Sequence, residues 1–381
     1  MKKFILKILK AFKYAFSLIF YLCPIKKNKI TFDNFAGKGY GCNPKYLSEE
    51  FIKDNKYQLI WFVKDLNTQM PEHIKKVKYG SLKHYYHLIT ARLWIDNIRN
   101  SLKPPFKRKK QFYLQTWHGR SPLKGIEKDV ESLLNPKYVK RAKKDGKLAN
   151  FILSGSEQQT KIIERAFWFN GEIIKLGLPR DDIFFENTSK EIEKIKKQYN
   201  LQDKKIILYA PSFRKDKDFY KNINFDANKI VEAFNNRFGK EHVLCIRLHP
   251  NDLKEENIKI FNNTIDLSYA PDSQIVLKCA DYVISDYSSM LFDGAMINKK
   301  GFTFAPDYES YLKNERSLYL DLTKMPFPFS QNIEELAKNI ETFNKEKYIK
   351  DLNLYIQSCG FYDNYNSAKK IKEYLQQIKI I

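Results

Sequence analysis

Asp281-Tyr282-Val283-Ile284-Ser285-Asp286-Tyr287-Ser288-Ser289-Met290-Leu291-Phe292-Asp293 reads as a buried strand, a short turn and the start of a helix. The apolar run Tyr282, Val283, Ile284 has strand length. Met290, Leu291, Ala295 and Met296 then recur at helical spacing up to Asn298. Ser288 and Ser289 therefore fall where a strand gives way to a helix. The first N–H groups of a helix lack intrahelical partners and sit at the positive end of its dipole. Hydroxyls added at that point make a phosphate seat. Asp293, five residues past Ser288, lies one turn further in, within reach of a ribose. A simple N-cap role for Ser288 is the alternative.

The same strand-then-helix rhythm runs through the chain. Ile30 to Phe32, Tyr57 to Val63, Leu93 to Ile95, Phe112 to Leu114, Phe151 to Leu153 and Ile173 to Leu176 read as strands of a first half. Lys205 to Tyr209, Val243 to Leu248, Tyr282 to Ile284 and Gly301 to Phe304 read as strands of a second. Helical patterns separate them, which predicts an α/β fold of two doubly wound, Rossmann-like halves facing a cleft. Gly177-Leu178-Pro179-Arg180-Asp181-Asp182 reads as the hinge, giving domains 29–180 and 181–381. In open parallel sheets ligands gather at the carboxyl ends of strands. Those ends deliver His118 in the first half, and Arg214, His249, Ser288 and Ser289 in the second. His118 has the titration range for proton transfer, and Arg120 and Lys124 nearby would draw an anion. Asn43-Pro44 has the chemistry of a helix start. His84 and His87 read as surface histidines of a helix.

Lysine and arginine total 67 against 44 acidic residues, a formal charge of +23, which favours an anionic partner. No helix-turn-helix, RRM, KH or zinc signature accompanies that charge, so a nucleic-acid-binding protein is the weaker reading. The five scattered cysteines form no CxxC pair and indicate neither a zinc site nor a disulfide framework. Residues 1–28 carry seven lysines and no acid between apolar residues such as Phe4, Leu9, Phe12, Phe16 and Phe20. The apolar run is short for a bilayer span. It predicts an amphipathic helix lying on an anionic membrane surface, with packing on the protein's own core as the alternative.

Trp117-His118-Gly119-Arg120-Ser121-Pro122-Leu123-Lys124, the Gly177 to Asp182 segment, Tyr209-Ala210-Pro211-Ser212-Phe213-Arg214, Arg247-Leu248-His249-Pro250 and Ser285 to Ser289 with Phe292-Asp293 form an ordered set. Together with Lys38-Gly39-Tyr40 and Asn43-Pro44-Lys45-Tyr46, they resemble the CDP-glycerol glycerophosphotransferase family, which includes the teichoic acid primases and polymerases. The resemblance covers nearly the whole chain. Arg120-Ser121 stands where the family more often has a Thr before the Pro, and Phe213 where it commonly has Trp. The resemblance implies a GT-B-like fold, peripheral association with the cytoplasmic face of the cell membrane, and neither a cofactor nor a catalytic metal. It implies transfer of glycerol phosphate from CDP-glycerol to a hydroxyl of a lipid-linked glycan or polyol-phosphate acceptor, with release of CMP, in teichoic acid or capsule synthesis. His118 and His249 would be catalytic. Trp117, Gly119, Arg120, Ser121, Arg180, Ser212, Arg214, Arg247, Ser288, Ser289 and Asp293 would contact substrate. The competing readings are a CDP-ribitol enzyme and a nucleotide-sugar glycosyltransferase on the same fold.

Overall fold

A computed structural model describes residues 14–99, 101–120, 123–216, 219–239, 241–249, 252–253, 259, 261–270, 272–362 and 365–381. They fall into two compact units. The first holds the chain to His118, Leu134–Asp182 and Tyr362–Ile381; the second holds Gly119–Leu133 and Ile183–Phe361.

In the first unit, strands β1 (Lys26–Asp33), β2 (Gln58–Val63), β3 (Ile74–Lys78), β4 (Ala91–Asp96), β5 (Phe112–Gln115), β6 (Phe151–Leu153) and β7 (Glu172–Ile174) form a parallel sheet in the order β3-β2-β1-β4-β5-β6-β7. The chain winds outward from β1 in one direction and resumes at β4 in the other. The switch point therefore lies between β1 and β4, whose last residues Asp33 and Asp96 are in register. Phe32 stacks on Trp61 at 5.7 Å, and Leu47 and Phe51 of the Cys42–Ile52 helix cover them. Ile371 and Leu375 of the Ser367–Gln377 helix complete this core.

In the second unit, β8 (Lys205–Ala210), β9 (His242–Ile246), β10 (Ile265–Asp266), β11 (Tyr282–Ser285), β12 (Lys300–Phe304) and β13 (Phe329–Ser330) form a parallel sheet in the order β10-β9-β8-β11-β12-β13. Here the switch point lies between β8 and β11, with Ala210 and Ser285 in register at its edge. Leu208, Ile246, Val283 and Phe302 are fully buried in this sheet.

The units depart from the expected 29–180 and 181–381 division in two places. The Asp182 carboxylate accepts the Ser367 and Ala368 N–H groups, both at 2.8 Å, capping the Ser367–Gln377 helix from a distance. Lys372 adds ion pairs to Glu50 at 3.1 Å and Asp54 at 3.0 Å, so residues 362–381 belong to the first unit. Residues 119–133 belong to the second because Lys124 bridges Leu318 in antiparallel fashion, flanked by Gly125 N–H to Ser317 O and Tyr319 N–H to Leu123 O.

Two further expectations need correction. His84 and His87 are buried rather than superficial. His84 stacks on Phe62 at 4.1 Å and its Nδ1 accepts the Gly80 N–H, and burial pushes it down to about 3. Asn43 does not cap a helix: the Cys42–Ile52 helix starts beyond Gly41 without a side-chain cap, and Asn43 points inward. The first 13 residues of the expected membrane-associating segment lie outside the described residues. Of the rest, Tyr14 and Phe20 pack edge-on against Tyr85 and Tyr86. Phe16, Leu18, Ile19 and Leu22 remain exposed, Leu22 to 86%.

Candidate active site

Around the β1/β4 switch point of the first unit the polar groups are tightly built. β5 ends at Gln115, whose Oε1 accepts the Trp117 N–H at 2.9 Å. Trp117 turns into the left-handed region at φ 52°, a conformation that a bulky residue holds only when its surroundings impose it. Asn43 supplies that constraint. Its Nδ2 donates to the Thr116 and Trp117 carbonyls, both at 3.1 Å, and its Oδ1 accepts the Arg180 N–H at 3.0 Å. One fully buried amide thus ties the helix start, the β5 loop and the segment at Arg180 together. The Trp117 ring packs edge-on against Phe167 at 4.8 Å.

His118 follows directly. Its Nδ1 lies 2.8 Å from the Asn97 carbonyl oxygen. A carbonyl only accepts, so Nδ1 carries the hydrogen and Nε2 of the neutral ring holds the lone pair. Burial pushes the imidazole down to about 4; the Asn97 bond opposes this, the Arg180 charge assists it, and Asp96 opposes it. The ring is therefore neutral at physiological pH. Arg180 Nη1 donates to the His118 carbonyl at 2.8 Å, and burial raises the nearby Cys42 thiol while the Arg180 charge opposes it. Deeper at the same edge, burial and the neighbouring Asp96 raise the Asp33 carboxyl well above the usual range, while Lys103 pairs with Asp96.

The β8/β11 switch point carries the second cluster. The Ser212 N–H donates to both Asp286 oxygens at 2.9 and 3.1 Å. Arg214 Nη2 reaches Asp286 at 2.7 Å, while its Nε reaches Asp307 at 2.6 Å. Tyr287 OH also donates to Asp307. The Arg214 guanidinium lies over Phe219, Tyr287 and Tyr311 at 4.4, 4.8 and 5.1 Å. Burial works to raise the Asp286 carboxyl, yet Arg214 and then Lys124 hold it below its ordinary value. Beyond this network comes the Met290–Met296 helix. Ser288 Oγ accepts the Met290 N–H at 3.2 Å, a capping contact, and Ser289 occupies the cap position without a side-chain cap bond. A Cβ on Gly119 would meet Ser289 Oγ at 3.5 Å, so Gly119 lies against the serine loop without being crowded.

The structure thus brings Trp117, His118 and Arg180 together in the first unit, and Ser212, Arg214, Gly119, Ser288 and Ser289 near one sheet edge of the second. Arg214, expected to contact the substrate, is 3% exposed and braced between two carboxylates, so it shapes the loop that carries the serines. Arg120 is likewise buried, with its guanidinium 5.0 Å from the Phe361 ring. Asp293 is 1% exposed, inside its helix rather than on the rim. Arg247 Nη1 donates to the Leu267 and Ala270 carbonyls, holding the loop after β10. His249 is exposed and its ring lies 5.6 Å from Phe213. Ser121 lies outside the described residues. The sequence reading missed Asn43 as a clamp, Asn97 as the orienting carbonyl, and Asp286 and Asp307 as partners of Arg214. Among the described residues no three His, Cys, Asp or Glu side chains group as metal ligands.

A family model described as CDP-Glycerol:Poly(glycerophosphate) glycerophosphotransferase matches residues 15–377. The chain is 32% identical over 377 residues to a teichoic acid poly(glycerol phosphate) polymerase of Bacillus spizizenii strain W23, spanning 93% of both sequences. It is 31% identical over 356 residues to the enzyme of the same name from Bacillus subtilis strain 168, and that match covers 90% of this chain but only 47% of the relative. Its fold superposes on the wall teichoic acid polymerase TagF with a TM-score of 0.82 at 27% identity, covering 98% of this chain and 96% of that one. A TagF variant soaked with CDPG superposes at 0.80. Two parallel-sheet units with motif residues at both switch points, and a family match from end to end, have one reading: the chain belongs to the CDP-glycerol:poly(glycerophosphate) glycerophosphotransferase family of transferases.

Proposed function

We propose that the protein transfers glycerol phosphate from CDP-glycerol to a hydroxyl of a lipid-linked glycan or polyol-phosphate acceptor in teichoic acid or capsule synthesis. The observation that carries the chemistry is His118. Its tautomer is fixed by the Asn97 carbonyl, it is neutral at physiological pH, and its Nε2 is the basic nitrogen. In the reaction the acceptor hydroxyl oxygen bonds to the β-phosphorus as the bond to the CMP oxygen breaks, and the hydroxyl proton passes to His118 Nε2. Within the second unit Gly119 lies against Ser289 at the start of the helix after β11. That adjacency supports placing the donor's diphosphate at the serine loop, where Ser288, Ser289 and backbone N–H groups meet developing charge. His249, exposed after β9, is the second candidate to meet the leaving phosphate. The relatives described above act in glycerol phosphate polymer synthesis, which favours CDP-glycerol over CDP-ribitol.

No helix among the described residues is long and apolar enough to cross a membrane. Exposed Phe16, Leu18, Ile19, Leu22 and Phe106 stand beside a lysine-rich stretch and support peripheral binding to an anionic leaflet. The decisive experiment offers the purified chain a panel of CDP-alditols and nucleotide sugars with a lipid-linked acceptor. CMP released from CDP-glycerol is the expected outcome. UDP or GDP released from a sugar donor, with CDP-glycerol inert, would overturn the proposal.

A further inference from the structure

With Arg214 braced between Asp286 and Asp307, the second unit needs another cation if it is to meet a diphosphate. Lys124 is that group. Its backbone is fixed by the antiparallel bridge to Leu318 and the flanking Gly125 and Tyr319 bonds. Its Nζ lies 6.0 Å from the centre of the Tyr311 ring, and Tyr311 stacks on Tyr287 at 3.7 Å, one residue before Ser288. The charged groups around it are Asp286, Arg214, Arg316 and Glu315. Asp286 is already paired with Arg214, and Glu315 with Lys215 at 3.6 Å. Among the described residues the Lys124 amine makes no hydrogen bond and no ion pair of its own. A half-buried ammonium without a direct counter-ion is costly, and a bound anion relieves that cost. Resting on the CDP-alditol reading above, we propose that Lys124 is the residue that contacts the donor's diphosphate.

Burial pushes the Lys124 amine down to about 8, with Asp286 opposing and Arg214 and Arg316 assisting. The contact therefore fades as pH rises through that value, which gives the proposal a signature a packing role lacks. The test measures equilibrium binding of CDP, CMP and cytidine to the full chain and to Lys124→Gln and Lys124→Arg, with thermal unfolding to verify folding. In Lys124→Gln, CDP affinity falls about 10- to 100-fold, the loss of one charge-assisted hydrogen bond, while cytidine affinity holds. In Lys124→Arg, CDP still binds, and the alkaline decline of CDP affinity seen near pH 8 in the parent moves above pH 10. An unchanged CDP-to-cytidine ratio in Lys124→Gln, or an alkaline limb unmoved in Lys124→Arg, would overturn the assignment. Failure of the parent to bind CDP at all would instead remove the donor reading on which it rests.

Discussion

Asn43→Asp is the sharpest probe of how His118, the histidine proposed to take the acceptor's proton, is held. The substitution changes one NH2 for one oxygen in a site with no exposure. The Arg180 N–H keeps its acceptor, but the Thr116 and Trp117 carbonyls, each 3.1 Å from Asn43 Nδ2, lose the amide's donor and face an oxygen. The Trp117 carbonyl keeps the Thr116 hydroxyl at 3.1 Å, so one buried acceptor, the Thr116 carbonyl, is left unpaired, and unfolding free energy should drop by about 1–3 kcal/mol. Released from the clamp, Trp117 can leave its left-handed conformation and carry His118 with it. A shift on the order of 1 Å at a reacting group costs about 100-fold in rate, so kcat for CMP release should fall about 10- to 100-fold. The buried new carboxyl has a folded pKa above its unfolded one. Stability is therefore highest at low pH and declines as pH rises through the folded value. Protonated, the carboxyl donates to one of the two carbonyls. Asn43→Asp should thus be more stable at pH 5 than Asn43→Ala, and the two should converge by pH 8. Urea midpoints across that range, with turnover in parallel, read both effects. Parent-like midpoint and turnover at pH 8 would refute the clamp.

The acid limb of kcat/KM should lie near pH 4 rather than 6.5, because burial keeps His118 deprotonated down to that value; a limb at 6.5 would show the ring to be solvated. In the same window the fold weakens as pH falls, since the unfolded histidine takes up a proton that the folded one refuses. His118→Ala should cost orders of magnitude in turnover while CDP-glycerol binding, read by calorimetry, changes less than about threefold. Asp286→Ala leaves the buried Arg214 with one carboxylate and the Ser212 N–H without an acceptor, and should lower stability by about 3–5 kcal/mol in chemical denaturation. Asp182→Ala uncaps the Ser367–Gln377 helix and should cost about 1 kcal/mol, with faster amide exchange at Ser367 and Ala368.

What could be read from the chain was what is local. The apolar run before Ser285 and the helical spacing after Ser289 placed the serine loop within a residue or two. β3, with three lysines in five residues, shows no apolar run because only Ile74 and Val77 face inward from the edge of its sheet. β10 and β13, two residues each, are too short to leave a pattern. The site was legible in which residues gather and less so in what they do. Arg214 looked like a phosphate clamp because its partners, Asp286 and Asp307, lie 72 and 93 residues further along. Asn43 looked like a helix cap because its three bonds run to Thr116, Trp117 and Arg180, which only tertiary structure makes neighbours. His84 and His87 share the polarity of surface residues, and nothing nearby in the chain announces Phe62.

The Asp182 cap and the packing of Ile371 and Leu375 on the sheet that begins at Lys26 have a consequence for biosynthesis. As the ribosome feeds the chain out, the unit begun earliest cannot close until residues 362–381 have emerged, some 180 residues after Asp182. Throughout that interval the core around the Cys42–Ile52 helix lacks the cover that Ile371 and Leu375 give it. The serine-bearing unit, assembled from the intervening stretch and 119–133, is free to mature before its older neighbour.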